Sequence, residues 1–245
     1  IDNTVQFYNS IGGGEVGSTN SDWFELYALP SIELGNVECN INIITSDTDD
    51  PHEFDIPIQI LVSLDQKGFP INDIVIKSSP IIVDLYGNNF QNIIFGSDDN
   101  NVYGYMIDGI EMFGFPYSTG DDVRSSPAVA DLDKNNIMEL IVGSHDGSLS
   151  ILSGFGNQVA THQVNGSING SPAAVDLDQD GDLEVVFTSF NGNSGDVHAI
   201  HHDGSTFYGF PVYLNEKMLG GAAAGDLDGD SYPELVVCTD DDNVY

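Results

Sequence analysis

Basic residues are nearly missing from this chain: 5 Lys and Arg stand against 39 Asp and Glu, a formal net charge of -34 over 245 residues. A surface of that sign repels phosphate backbones and anionic lipid headgroups, so nucleic acid and membrane-surface binding are excluded as functions. Cysteine is scarce as well. Cys39 and Cys238 fall in segments assigned below to different domains, so no bond between them is expected. No apolar run approaches the roughly 18 residues of a membrane-spanning helix, and no basic, then apolar leader begins at Ile1. An export signal is therefore expected upstream or already removed. A sustained 3.6-residue apolar period is also absent, so essentially no helix is expected. Aromatic and β-branched residues are plentiful, with 13 Phe, 10 Tyr and 40% hydrophobic residues overall. That content buries real cores and excludes the disorder that acidity alone would suggest.

Self-comparison exposes a repeat. Ser78-Ser79-Pro80-Ile81-Ile82-Val83-Asp84-Leu85 returns as Ser125-Ser126-Pro127-Ala128-Val129-Ala130-Asp131-Leu132 and as Gly170-Ser171-Pro172-Ala173-Ala174-Val175-Asp176-Leu177. It ends as Gly221-Ala222-Ala223-Ala224-Gly225-Asp226-Leu227, and Asp84, Asp131, Asp176 and Asp226 are 47, 45 and 50 residues apart. Each Asp-Leu leads through a polar loop into an apolar run such as Glu139-Leu140-Ile141-Val142-Gly143-Ser144, which reads as a buried strand. A further strand follows, for example Asn101-Val102-Tyr103-Gly104-Tyr105-Met106, and the Asp108-Gly109 and Asp203-Gly204 pairs form hairpins to its mate. Four short antiparallel strands at such a period predict propeller blades, with a sandwich or a straight solenoid as the competing architectures.

The fold class expected is all-β: a partial β-propeller of three to four blades of four antiparallel strands, preceded by a β-sandwich-like segment. The blades are placed at about 66–112, 113–157, 158–207 and 208–245, the last incomplete, within a domain at 65–245. Residues 1–64 alternate in stretches such as Asn40-Ile41-Asn42-Ile43-Ile44 and read as the C-terminal strands of an immunoglobulin-like sandwich. Ser-Ser-Pro-Ala-Val-Ala-Asp-Leu-Asp at 125–133, followed by Glu-Leu-Ile-Val-Gly-Ser at 139–144, resembles the FG-GAP or VCBS repeat of integrin-α-type propellers, and the resemblance covers about residues 66–245. It implies a ring of six to eight blades, of which this would be a fragment of a secreted multidomain protein.

The loop after each first strand carries the chemistry. Asp176, Asp178 and Asp180 occupy alternate positions, Gly181 allows the sharp turn, the carbonyl of Asp182 lies near position seven and Glu184 closes the loop. Calcium takes six to eight oxygens in irregular geometry, which such a loop can supply, whereas transition metals want imidazole or thiolate. Asp226, Asp228, Asp230, the Tyr232 carbonyl and Glu234 repeat the scheme, so two Ca²⁺ sites are expected. Asp131, Asp133, Asn135, the Ile137 carbonyl and Glu139 form a weaker third. The loop from Asp84 to Asn92 lacks the third-position and terminal acids and is expected to bind none. The competing reading is Asx-turns bonding their own backbone without metal.

Other groups have plainer readings. His198, His201 and His202 could suggest zinc but fall on a third strand and its hairpin, where other blades carry Tyr105 or Ser150. Trp23, Phe24 and Tyr27 could stack on a sugar but suit a sandwich core. No catalytic set is expected, and no cofactor beyond Ca²⁺. The function expected is an extracellular, calcium-stabilised module, secreted or at the cell surface, that binds a protein or glycan or joins a surface assembly. Self-assembly through an open blade edge is a further expectation. The alternative is a noncatalytic accessory region of a secreted protease, glycoside hydrolase or polysaccharide lyase.

Overall fold

A computed structural model describes residues 35–44, 53–62, 68–192 and 194–245. The chain divides into two compact units, Ile1–Asp65 and Gln66–Tyr245. In the first, β1 (Gly35–Ile44) and β2 (Glu53–Val62) pair antiparallel without a register break, from Gly35 opposite Val62 to Ile44 opposite Glu53. Trp23, Phe24 and Tyr27 lie outside the described residues, as does most of the segment assigned to a sandwich.

The second unit is a row of antiparallel sheets. The first blade is β3 (Ile81–Val83), β4 (Asn92–Gly96), β5 (Asn101–Met106) and β6 (Tyr117–Ser118), paired in chain order. The second is β7 (Ala128–Ala130), β8 (Glu139–Gly143), β9 (Ser148–Ser153) and β10 (Gln158–Gln163). The third is β11 (Ala173–Val175), β12 (Glu184–Phe190), β13 (Gly195–Ile200) and β14 (Val212–Tyr213). A fourth sheet holds β15 (Ala222–Gly225) and β16 (Glu234–Val237), with a bridge from Cys238 to Val244 where a third strand begins. There is no helix among the described residues. These are the blades of a partial propeller.

The blade limits drawn from sequence need one correction. The limit at 113 falls inside a blade: Met112 N–H donates to Gly104 O and Phe115 N–H to Met112 O, so the chain folds back along β5 of its own sheet. The outer strands at 117–118, 158–163 and 212–213 therefore belong to the blade before each of those limits.

Sheets pack face to face because the second strand alternates. Leu140 and Val142 join the first blade's Ile94 in one core, whereas Ile141 between them turns to Val185 and Phe187 of the third blade. The next junction repeats the scheme with Val186, Val197, Ala199, Met218 and Val237. Each junction also receives one side chain from the connector between blades. Val123 and Ile168 are fully buried there, over Gly96 and Gly143, where a Cβ would collide with them. A fully buried aliphatic side chain contributes about 1.5–3 kcal/mol. The ion pair at the first of these junctions, Arg124 with Asp98, is screened by solvent on the guanidinium side and adds little. Apolar insertion therefore decides how the blades stack. The serine of the repeat fastens the first strand to the second: Ser78 Oγ accepts Gly96 N–H at 2.8 Å and donates to Gly96 O at 2.9 Å, and Ser125 does the same on Gly143.

Candidate metal centres

Each loop joins the first and second strands of a blade and begins at an Asp. Its shape comes from Asx-type turns: Asp178 Oδ1 accepts Asp180 N–H, Asp180 Oδ1 accepts Asp182 N–H, and Asp228 and Asp230 repeat this on Asp230 and Tyr232. Positive φ at the fourth position, Lys134 (55°) and Gln179 (62°), completes the bend. The competing reading thus describes part of the geometry, since one oxygen of these side chains shapes the backbone.

Carboxylate oxygens of these loops also converge. In the second loop one oxygen each from Asp131, Asp133 and Glu139 lies within 4.8 Å of the others, and in the third the same holds for Asp176, Asp178 and Glu184. The fourth loop gathers Asp226, Asp228 and Asp230. Calcium–oxygen bonds of about 2.3–2.6 Å put two ligands of one ion at most about 5 Å apart, so these separations suit a shared cation. Carboxylates that close repel one another by about 1 kcal/mol per pair even at the dielectric constant of water. Asp131 Oδ1 and Asp176 Oδ1, moreover, are buried with no hydrogen-bond partner, a state that costs free energy unless a cation or water faces them. Oxygen donors, clustered charge and orphaned buried oxygens all fit Ca²⁺.

Not every expected ligand joins a cluster. The carboxylate of Asp180 stays outside the third group and that of Glu234 outside the fourth. The Asn135 Oδ1 accepts Ile137 N–H at 2.7 Å. The closing acid proves to have a role the sequence reading missed. Glu139 Oε2 accepts Leu132 N–H, Glu184 Oε2 accepts Leu177 N–H and Glu234 Oε2 accepts Leu227 N–H, at 3.0, 2.9 and 2.7 Å. Asn92 Oδ1 does the same for Leu85 N–H at 3.1 Å in the loop without the acids. The ninth residue is a clasp across the loop, and only its other oxygen is left to face an ion, an oxygen that in Glu184 also meets His201. Burial pushes the Glu139 and Glu184 carboxyls above the ordinary range, against the lowering effect of those N–H donors.

The histidines are tied to the third blade. His201 Nδ1 lies 3.1 Å from Glu184 Oε1, and His202 Nδ1 lies 3.4 Å from Asp182 Oδ2. His198 is buried, stacks on Phe187 at 4.9 Å and meets Ser189 Oγ at 2.9 Å. Strand register places it where the first blade has Tyr103, not Tyr105, because His198 faces Phe187 as Tyr103 faces Phe95. Nothing in local spacing announces the contact of His201 with Glu184, since it depends on how the third strand ends beside the loop. Adjacent loops are also linked: Leu183 N–H donates to Leu132 O, and Gln179 Nε2 donates to Ser231 O at 2.6 Å.

A family model described as an FG-GAP-like repeat matches residues 176–237, which span the third and fourth loops. Among solved structures the chain is similar to BBS1N in complex with ARL6DN, soaked with lead, at 12% identity and a TM-score of 0.50, over 71% of this chain and 51% of that one. The chain thus spans about half the length of that relative, and the likeness concerns the fold alone. It is also similar to the V. cholerae biofilm matrix protein Bap1, at 23% identity and TM-score 0.39 over 67% of this chain and 35% of that one. The computationally designed Ika4 protein aligns at 14% identity and TM-score 0.47 over 75% of this chain and 97% of its own. No curated protein matches in sequence. Among the described residues no helix is long and apolar enough to cross a membrane.

Proposed function

From a chain that carries an FG-GAP-like repeat within a partial β-propeller, we propose a noncatalytic, extracellular, calcium-stabilised binding module. The observation that carries this reading is the pair of buried, unpartnered oxygens on Asp131 and Asp176, each inside a converging set of carboxylates. Asp176, Asp178 and Glu184 would hold one ion and Asp226, Asp228 and Asp230 another, while Asp131, Asp133 and Glu139 would hold a weaker third. The ion supplies charge neutralisation, letting the first and second strands of each blade close without mutual repulsion. Weak loop sites of this kind fill at extracellular calcium levels and stay empty at cytosolic ones, which supports a secreted or surface location.

The same end of the blades supports a protein or glycan as ligand. The seventh loop position presents Phe90, Ile137 and Tyr232, all exposed, beside the acidic side chains, and large apolar groups in a polar rim are the usual anchors of a binding surface. Calorimetric titration of metal-free protein with Ca²⁺ tests the metal. Two sites and a still weaker third are expected, with Asp178→Asn abolishing one of the two. Heatless titration, or an Asp178→Asn profile identical to the parent, would refute the reading.

A further inference from the structure

Outside the apolar cores, the second and third blades do not close on each other as the first and second do. At the first junction Tyr117 of the outer strand crosses to the next blade, where its OH donates to Gln158 Oε1 at 2.9 Å and lies 3.2 Å from Ser150 Oγ. His162 is the register counterpart of Tyr117, since it faces Leu149 as Tyr117 faces Val102. It turns aside, with Nδ1 3.0 Å from Gly204 O at the hairpin of the third blade. Between the blades, Arg124 reaches both Asp98 and Asp122 at the first junction, whereas the second has the shorter pair Asn169 and His145 in place of Arg124 and Asp98. β12 and β13 also run on past the point where β8 and β9 end, with Ser189 opposite Asp196 and Phe190 opposite Gly195.

What remains is a groove of two adjoining openings, about 470 Å³ and 360 Å³, that share Asn165 and Asn191. Small-molecule sites run from about 300 to 1,000 Å³. The walls are the turns from second to third strands and the connector between blades, so the groove lies at the strand ends away from the acidic loops.

The side chains of the second opening define its chemistry. Along β13, Val197 and Ala199 enter the core shared with the fourth sheet and Ile200 the core shared with the second blade, so Asp196 and His198 face the second blade too. Both are more than nine-tenths buried and both line the opening. Each keeps a polar atom without a partner among the described residues: Asp196 Oδ1 accepts Ser194 Oγ–H at 3.1 Å and leaves Oδ2, while His198 Nε2 meets Ser189 Oγ and leaves Nδ1. Buried groups of this kind call for water or a ligand. Tyr213 stands opposite Asp196 on the same face, 65% exposed. Gln163 adds Oε1, its amide nitrogen being engaged by Asp146 O and Val164 O.

We propose that this groove binds an uncharged saccharide, with Tyr213 stacked on the C–H face of a sugar ring and Asp196 Oδ2, His198 Nδ1 and Gln163 Oε1 meeting its hydroxyls. A hydroxyl both donates and accepts, so one ring satisfies a carboxylate, an imidazole nitrogen and an amide oxygen together. An apolar ligand would strip these groups of water and return nothing. Anions meet Asp146 and Asp196 and no Lys or Arg along the groove, an arrangement that repels them. The inference rests on the reading of the chain as a binding module, but it places the sugar at the opposite end of the blades from Phe90, Ile137 and Tyr232.

Calorimetric titration of the 245-residue chain in calcium-containing buffer tests it, with glucose, galactose, mannose, N-acetylglucosamine and their disaccharides as probes and glucuronate as the anionic control. Saturable binding of at least one uncharged probe is expected, with glucuronate silent. Asp196→Asn keeps the shape and the Ser194 bond but removes the charge, and should weaken binding about tenfold or more. Tyr213→Ala removes an exposed ring and should weaken it severalfold. Both variants should keep the parent melting temperature and calcium uptake, and Tyr232→Ala should bind sugar like the parent. Binding of no uncharged probe, a preference for glucuronate, or parent affinity in both groove variants would overturn the assignment. Loss confined to Tyr232→Ala would also overturn it, and would leave the binding-module reading standing with its ligand at the calcium end.

Discussion

The first and third blades build the same loop from different chemistry. In the first, Asp84 accepts the N–H groups of Asn88 and Asn89, and Asn92 clasps Leu85 N–H. In the third, Glu184 takes the place of Asn92 and clasps Leu177 N–H, while Asp176 and Asp178 bring further charge to the same point. The first loop shows that the turn and its clasp need only one carboxylate. The additional acids of the third are therefore surplus to folding the loop, and they raise its electrostatic cost. A surplus that destabilises the free loop makes sense where a cation is bound. The blades differ again at the outer face, where Tyr103 on Phe95 is matched by His198 on Phe187, with ring centroids 5.7 and 4.9 Å apart.

The sharpest way to break the comparison is to remove calcium. Two loops each held at about a hundred times their Kd contribute ~2.7 kcal/mol apiece, so chelation should cost ~5 kcal/mol and lower the melting temperature markedly. A melt indifferent to EDTA would make the third loop energetically equivalent to the first.

The aromatic position responds to pH. Burial, and then the neighbouring His162, depress His198 from 6.5 to about 4. A depressed imidazole stays neutral when folded, while the unfolded chain takes the proton. Its stabilisation is complete above pH 6.5 and is lost as pH falls towards 4, by ~3 kcal/mol. His198→Tyr, which copies the first blade, should flatten that slope in urea titrations across this range.

Glu184→Gln makes the third clasp neutral, as in the first blade. The amide oxygen can still accept Leu177 N–H, so metal-free stability should hold or rise, while the calcium-dependent gain in melting should fall by one site, ~2.7 kcal/mol. Retention of the full gain would remove Glu184 from the site. The smallest effect belongs to Asn92→Ala, which leaves the Leu85 N–H unpartnered and should cost about 1–3 kcal/mol in chemical denaturation, with or without calcium.

Much of this was legible from the chain alone. Asp84, Asp131, Asp176 and Asp226 mark the repeat, and the apolar run read at 139–144 is a strand at Glu139–Gly143, because a short apolar run buried on both faces suits a strand between two sheets. The blade limits were misplaced because a period fixes the length of a repeat and not where one blade hands over to the next, and only the bond from Met112 to Gly104 shows the chain returning to its own sheet. The clasp was hidden for a related reason. A carboxylate nine positions into an acidic loop reads as a ligand, and its bond to a backbone N–H seven residues earlier appears only once the loop has closed.

Composition and repetition by themselves determined an all-β, strongly acidic chain with oxygen-rich loops at a regular period, since local patterning and charge are properties of neighbouring residues. Tertiary structure alone decided which oxygens converge, that Glu184 faces His201, and that Tyr117 crosses to the next blade where His162 turns aside. Those facts depend on which sheet lies against which, and stacking is set by apolar contacts between residues some 45 positions apart, beyond the reach of any local pattern.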